Sequence, residues 1–384
     1  MRTENHKPEF REIPLKIISP SYDSSLTDLI LELESLRRLD LRGSTPVETF
    51  RQIKAIFHTL ESIRSARIEG NKTTIIEYID NQLESNPKRT ESIKEINNME
   101  NALEYIDENI HALLINRAFI SELHKMVVND LSDEGSQNPG SYRNCLVKIS
   151  KSELVPPPFI AVPGYMEELF GFLGKADPPK YDLLKIALAH HRFAWIHPFD
   201  NGNGRTVRLF TYALLAKFGF HVDWERIINP TAVFCNDRER YYSALARADQ
   251  GDDEGYFRWV EYMLSGLRKE IEKTDRLTNY DYIQREILLP AIAFCLEKNA
   301  LNCQEARILE LAIANQEISN SDIRKVFPKH ISGISRIIWS LKEKGYLKPT
   351  PQNKHRYYAN FIGNNLIRGI IFSLTKAGFL SGAE

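Results

Sequence analysis

The chain has 384 residues, 42% of them hydrophobic and 26% charged, with a formal net charge of -1. That is long enough for two or three domains and has the make-up of an ordinary globular protein. The near-zero balance argues against a nucleic-acid coat protein, though a neutral chain can still carry one basic module. Cys145, Cys235, Cys295 and Cys303 form no CxxC pair and have no zinc spacing with histidine, so they read as buried thiols in a reducing cytosol. The opening MRTENHKPEF is polar, with no signal-peptide apolar stretch, and the run ILLPAIAF is too short to span a bilayer. A cytoplasmic protein with no membrane association is the expectation.

Helical spacing dominates. LTDLILELESLRRL repeats apolar residues at three- and four-residue steps after a Ser-rich start, and PVETFRQIKAIFHTLESIRSARIEG opens on Pro46 and closes on Gly70. NKTTIIEYI offers Asn71 as a cap. SIKEINNMENALEYIDENI and NRAFISELHKMVVNDL continue the pattern. DEGSQNPGSYRNCLVKISKSELVPPPFIAVP breaks it with turn residues and a proline triplet, and NCLVKI predicts a short hairpin or flap. Helix resumes in YDLLKIALAHHRFAWI, RTVRLFTYALLAKFGF, RERYYSALARA and YFRWVEYMLSGLRKEIEKTDRL. From about residue 303 the rhythm changes. Two helical stretches, QEARILELAIANQ and ISNSDIRKVFP, precede HISGISRIIWSLKEKGYL, and KPTPQNKHRYYANF predicts a two-stranded wing.

WIHPFDNGNGRTVR, residues 195–208, carries the chemistry. Asn203 lies between Gly202 and Gly204, directly ahead of a helical pattern. Glycine allows positive φ and close approach, and a helix N-terminus offers unpaired N–H groups and a partial positive charge. Together they make an anion site. Arg205 and Arg208, three apart, project from one side and can each grip a phosphate, so the site suits a di- or triphosphate. His197 precedes the loop and can take a proton from an attacking hydroxyl. Phe199 is an apolar anchor for the loop. No P-loop or kinase motif competes.

HPFDNGNGRTVR resembles the HPFxxGNGRxxR signature of Fic-domain proteins over its whole length. The resemblance implies a mainly α fold: a Fic helical core with a small β-hairpin flap, plus a C-terminal winged-helix domain. It implies transfer of AMP from ATP to a Ser, Thr or Tyr hydroxyl of a protein target or of the chain itself, releasing diphosphate. His197 then resembles the general base, Gly202, Asn203 and Gly204 the anion hole around the α- and β-phosphates, and Arg205 and Arg208 the β- and γ-phosphate clamps. Mg²⁺ would bridge the phosphates. The family often has an acidic metal ligand where this chain has Asn201, so the amide would be a weaker, neutral contact. GSYR at 140–143 resembles the entry to the flap, and Val147, Lys148, Ile149 and Ser150 would dock the target strand by β-augmentation. RERYYSALARADQGD resembles the segment that closes over adenine, with Tyr241 and Tyr242 as walls and Asp249 as a hydrogen-bond acceptor. His190 reads as structural.

SARIEG fits the family's inhibitory motif, with Ser65, Glu69 and Gly70. Ser65 and Glu69 are four apart on one helix face, and the Glu69 carboxylate can pair with Arg208 and deny it to the γ-phosphate. The domains expected are 1–95, an N-terminal helical region with the inhibitory helix; 96–275, the catalytic core; 276–302, a helical connector; and 303–384, a winged-helix module and tail. In the tail, Lys329, His330, Ser332, Ser335 and Arg336 would start the recognition helix, and Lys354, His355 and Arg356 would sit on the wing. DNA is therefore a candidate partner, and a homodimer another. Two alternatives to the transferase stay open: a DNA-binding regulator that uses the pocket for nucleotide sensing or self-modification, and an enzyme that removes AMP.

Overall fold

Helix dominates the computed structural model, which describes residues 9–38, 43–149, 152–220, 227, 230–327 and 331–380, the side chains of Ile331, Ser332 and Ile334 aside. In chain order the helices are α1 (Ser25–Arg38), α2 (Val47–Glu69), α3 (Ile75–Leu83), α4 (Glu91–Asn109), α5 (Arg117–Val127), α6 (Val162–Gly174), α7 (Asp182–Ile196), α8 (Asn203–Lys217), α9 (Pro230–Cys235), α10 (Arg238–Ala248) and α11 (Asp253–Thr274). There follow α12 (Tyr280–Tyr282), a π turn at Ile283–Leu288, α13 (Leu289–Glu297), α14 (Cys303–Asn315), β1 (Ile318–Ser319), α15 (Asn320–Val326), α16 (Ile331–Glu343), β2 (Leu347–Pro349), β3 (Arg356–Ala359) and α17 (Leu366–Lys376).

Two compact units interleave along the chain: one holds 1–40, 58–72 and 89–272, the other 41–57, 73–88 and 273–384. This partition does not follow the linear division at 95, 275 and 302. Segments near the N-terminus pack with distant ones: the start of α2 bonds within the second unit, where Gln52 Oε1 accepts from Phe361 N, and Arg368 reaches Asp80 of α3.

In the first unit, α7 and α8 are buried on nearly every face, as helices in the middle of a core must be. Trp195, Phe193, Phe199 and Phe210 fill the space around them, and truncating one such ring to alanine costs about 3–5 kcal/mol. Several of their buried polar side chains are paired, which offsets the cost of burying them. Lys185 Nζ, for example, donates to the Lys175 carbonyl at 2.6 Å and meets Asp177 at 2.9 Å. Ahead of α1, residues 10–14 pack on this core, where Ile13 O accepts from Arg192 Nη1 and Pro14 O from the Tyr256 hydroxyl.

In the second unit, β1, β3 and β2 form an antiparallel sheet in that order, with Ile318 opposite Tyr357 and Leu347 opposite Ala359. The two strands expected from KPTPQNKHRYYANF pair with each other. β1 joins them from a stretch expected to be the start of a helix. Ile318, Ile323, Leu341 and Leu347 are buried there, and Gly345 ends the α16 segment with φ 71°.

Three local expectations are corrected. The cap of α3 is Thr74, not Asn71: Thr74 and Glu77 bond each other's backbone in a capping box, while Asn71 Nδ2 donates to Ser92 O and Glu95 Oε2. Among the described residues, 144–157 contain no strand, so the hairpin expected over the flap is an extended excursion instead. Three prolines near its end remove the N–H donors a ladder needs. Cys145 and Cys303 are exposed, contrary to the expectation of buried thiols, and only Cys295 is buried.

Candidate active site

The turn from α7 into α8 builds the site. His197 caps α7 in the left-handed conformation, φ 51° and ψ 61°, and Pro198 cannot continue the helix. Phe199 plunges into the core, stacked flat on the His124 ring at 3.7 Å. Asn203 closes the loop with both ends of its amide: Oδ1 accepts from Phe199 N and Nδ2 donates to Phe199 O, each at 2.9 Å. Gly202 is left-handed, φ 71°, and a Cβ there would stand 2.9 Å from Val128 Cγ1. The first bond of α8 runs from Thr206 N to Gly202 O, so the amides of Asn203, Gly204 and Arg205 precede the ladder and point out of the helix end.

That helix end faces a cavity of about 720 Å³, lined among others by His197, Asn201, Gly202, Asn203, Gly204, Arg205, Arg208, Tyr241, Tyr242 and Asp249. Glu69 enters it from α2. Arg208, 1% exposed, donates from Nε to Ser65 Oγ at 2.8 Å and from Nη2 to Ser65 O and Glu69 Oε1 at 3.0 and 2.7 Å. The pairing of Glu69 with Arg208 expected from spacing is thus made. A Cβ on Gly204 would collide with Glu69 Oε1, so the glycine is what lets the carboxylate lie against the helix end. Gly70 ends α2 with φ 120°. Burial pushes the Glu69 carboxyl up, but Arg208, Arg205 and Arg238 outweigh it and hold it below the ordinary range.

Arg205 goes elsewhere. Its guanidinium is fully buried against Glu95 at 3.0 Å and Glu134 at 3.1 Å. Asn71, two residues past Glu69, bonds that same Glu95 at 2.7 Å. Both arginines expected to clamp phosphates are therefore met by carboxylates.

His197 Nδ1 lies 3.4 Å from Ala194 O. A carbonyl only accepts, so Nδ1 carries the proton and Nε2 presents a lone pair. Burial, then the charge of Arg143, depress this imidazole to about 4, against pulls upward from Ala194 O and Glu69. Tyr241 is buried, its hydroxyl 2.9 Å from His190 Nε2, while His190 Nδ1 meets Thr211 Oγ1 at 2.7 Å. Tyr242 lies 5.3 Å from the Tyr241 ring and under Arg238. Asp249 Oδ1 is engaged by His191 Nε2 at 2.8 Å. Lys148 and Ile149 line the cavity; Val147 is half-buried nearby in the chain, and Ser150 lies outside the described residues.

Sequence reasoning missed several residues. His124 Nδ1 accepts from Gly140 N at 2.8 Å, so Nε2 carries hydrogen and donates to Asn201 O at 3.1 Å; burial lowers this imidazole to about 4. It reads as a core histidine until the fold brings it under the loop. Glu9 and Arg11 line the cavity mouth, where Phe10 packs 5.7 Å from Trp195; no pattern in the polar N-terminus signals this. Glu95 and Glu134 carry no signal beyond charge.

Among the described residues, no group of three or more His, Cys, Asp or Glu is placed to hold a metal. Asp200 accepts from Ser136 Oγ, Gln137 N and Asn201 N, and Asn201 Oδ1 accepts from Gly202 N at 2.7 Å. This donor set does not cage a resident ion.

The helical core thus sets an imidazole beside a helix N-terminus whose leading amides face one cavity. Residues 114–215 match the Fic/DOC family model. The chain is 29% identical to a protein adenylyltransferase Fic of Nematostella vectensis over 57% of its own length and 49% of the relative's. It is 26% identical to the protein of the same name in Drosophila willistoni over 63% and 50%. The chain spans about half the length of the curated relatives it matches. A crystal structure of a Fic family protein from Desulfovibrio desulfuricans shares the fold, with a TM-score of 0.56 at 21% identity, over 90% of this chain and 98% of that one. A Fic domain-containing signaling protein from Bacteroides thetaiotaomicron gives 0.52 at 20% identity, over 66% and 98%.

Proposed function

We propose that the chain is a protein adenylyltransferase that moves AMP from ATP to a hydroxyl of a target protein or of itself, with Glu69 as its brake. The observation that carries this reading is the convergence of His197 Nε2, the leading amides of α8 and Arg208 on one cavity that the Glu69 carboxylate already occupies. The amides and Arg208 would hold the polyphosphate, and His197 Nε2 would take the proton of the incoming hydroxyl as its oxygen bonds the α-phosphorus and diphosphate departs. Mg²⁺ bound to the phosphates supplies charge neutralisation. Tyr241, Tyr242 and Asp249 would enclose the base, and the segment 145–157 would present the target hydroxyl. The test is intact-mass measurement of the protein, and of lysate proteins, after incubation with ATP and Mg²⁺. A gain of one AMP that disappears with His197→Ala supports the reading, and no AMP on any protein, with Glu69→Gly included, overturns it.

Removal of AMP from a modified protein is a second reading, favoured by the pairing of both arginines with carboxylates. A pocket so neutralised suits a monophosphate better than a triphosphate. Incubation with an adenylylated protein would release free AMP if this direction operates.

For the C-terminal module we propose a winged helix, supported by the order α14, β1, α15, α16, β2, β3 and by the pairing of β2 with β3. A DNA contact would rest on Arg336, Lys354 and His355. Arg356 is tied to Glu317 at 2.8 Å, and Lys329, His330 and the Ser332 side chain lie outside the described residues. A gel-shift with the full chain and a Lys354→Glu variant tests it. No described helix is long and apolar enough to cross a membrane.

A further inference from the structure

We infer that Arg143 is a positioning residue for the transfer: one buried guanidinium ties the backbone of His197 to both ends of the flap segment. Arg143 is 4% exposed, and every bond it makes goes to a backbone carbonyl. Its own N–H donates to Pro198 O at 2.8 Å. Its Nε donates to His197 O at 2.8 Å and its Nη2 to Ile196 O at 3.3 Å. Three consecutive carbonyls at the end of α7 thus end on one residue. These are groups a helix C-terminus leaves without partners, and a cation there also suits the helix dipole. The other two bonds go to the flap segment. Nη1 donates to Cys145 O at 3.1 Å and Nη2 to Pro157 O at 2.5 Å.

The left-handed backbone of His197 is costly for a residue with a Cβ, and it persists only where neighbours fix it. Arg143 supplies that fixing from one side, and Pro198 and the stacked Phe199 from the other. The flap needs a tie for a different reason. Among the described residues of 145–157, the hydrogen bonds are local, Ser152 N to Ile149 O and Leu154 N to Ser152 Oγ, or run to Arg143. Ile149, Ser152 and Leu154 of that segment line the cavity beside His197. A planar fork with five donors can hold four separated carbonyls at once; an ammonium on a flexible stem cannot. A shift of the flap therefore pulls on the same guanidinium that sets the imidazole, so the docked hydroxyl and the base keep register.

The kinetic arm of this inference rests on the transferase reading, and the test is arranged to separate the two. Arg143→Gln and Arg143→Lys are made in the full chain and in a Glu69→Gly background, with folding checked by circular dichroism. In the Glu69→Gly background, AMP incorporation at saturating ATP is expected to fall about 10- to 100-fold in both variants, with KM for ATP changed by less than about twofold. In the full chain, protease cleavage within 145–157 is expected to accelerate several-fold in both. The His197 imidazole, followed by NMR, titrates higher in Arg143→Gln, where the neighbouring positive charge is gone and Glu69 remains, and stays put in Arg143→Lys. Should Arg143→Gln fail to fold, Arg143→Lys carries the cleavage and rate measurements. Folded variants with parental cleavage and parental rate overturn the inference, as does a rate loss matched by an equal rise in KM for ATP. If the Glu69→Gly parent transfers no AMP, the transferase reading fails, while cleavage and titration still decide the role of Arg143.

Discussion

Replacing Glu69 by glycine should release Arg208 and raise AMP transfer. The Nη2–Oε1 bond of 2.7 Å is charge-assisted, with Arg208 1% exposed and Glu69 28% exposed. Such a bond contributes about 1.5–3 kcal/mol when desolvated, and the open side of Glu69 brings this to about 1–2 kcal/mol. A γ-phosphate must replace that carboxylate on the same nitrogen. Removing the competitor should therefore strengthen productive ATP binding about 5- to 30-fold at 1.4 kcal/mol per decade. The same change strands a buried cation on Ser65 alone, so the ligand-free protein should melt a few degrees lower, and saturating ATP should restore it. Glu69→Gln keeps an acceptor without the charge and should fall between. Transfer is read by labelled AMP incorporation, and binding by the ATP-induced rise in Tm. A Glu69→Gly protein with no more incorporation and no larger ATP-induced Tm rise than wild type would refute the reasoning.

Gly204→Ala should lower Tm in the wild type, by about 1–3 kcal/mol of overpacking against Glu69 Oε1, and much less with Glu69→Gly; additive effects would contradict the close approach. Burial pushes the Glu61 carboxyl up to about 7, against bonds from Thr231 and the charge of Arg64. Its folded pKa is above the unfolded one, so its contribution is full below about 4.5 and lost as pH rises to 7. Glu61→Gln should remove that slope and add about 1–3 kcal/mol at pH 8, read by urea unfolding across pH. His124 has the opposite sign: depressed to about 4, it should cost stability as pH falls from about 6.5 towards 4. This shows most clearly in the Glu61→Gln protein, and a flat acid limb there would contradict it.

Long amphipathic helices such as α1, α4 and α11 could be read from three- and four-residue apolar spacing, because one face of each meets the core. The α7–α8 turn was legible for a different reason: Pro198, Gly202 and Gly204 each have a backbone task that few residues can perform. α6 was missed although Val162, Met166, Leu169 and Leu173 are buried at helical spacing; Pro163 and three glycines masked the signal. The flap was misread as a hairpin because β-branched content favours strands only where a partner strand exists. Side-chain destinations were half legible. Glu69 reaches Arg208 because a short motif fixes both on helices, whereas Arg205 turns to Glu95 and Glu134, contacts that only tertiary packing creates.

The central claim is that the α8 helix end binds the polyphosphate while His197 Nε2 takes the proton from the acceptor hydroxyl. The most direct measurement compares ATP binding, by calorimetry with Mg²⁺, and AMP transfer in Glu69→Gly with and without His197→Ala. ATP bound about equally by both proteins, with transfer only where the imidazole is present, is the expected result. Transfer that survives the loss of His197, or an ATP affinity unaltered by Arg208→Ala in the same background, would contradict it.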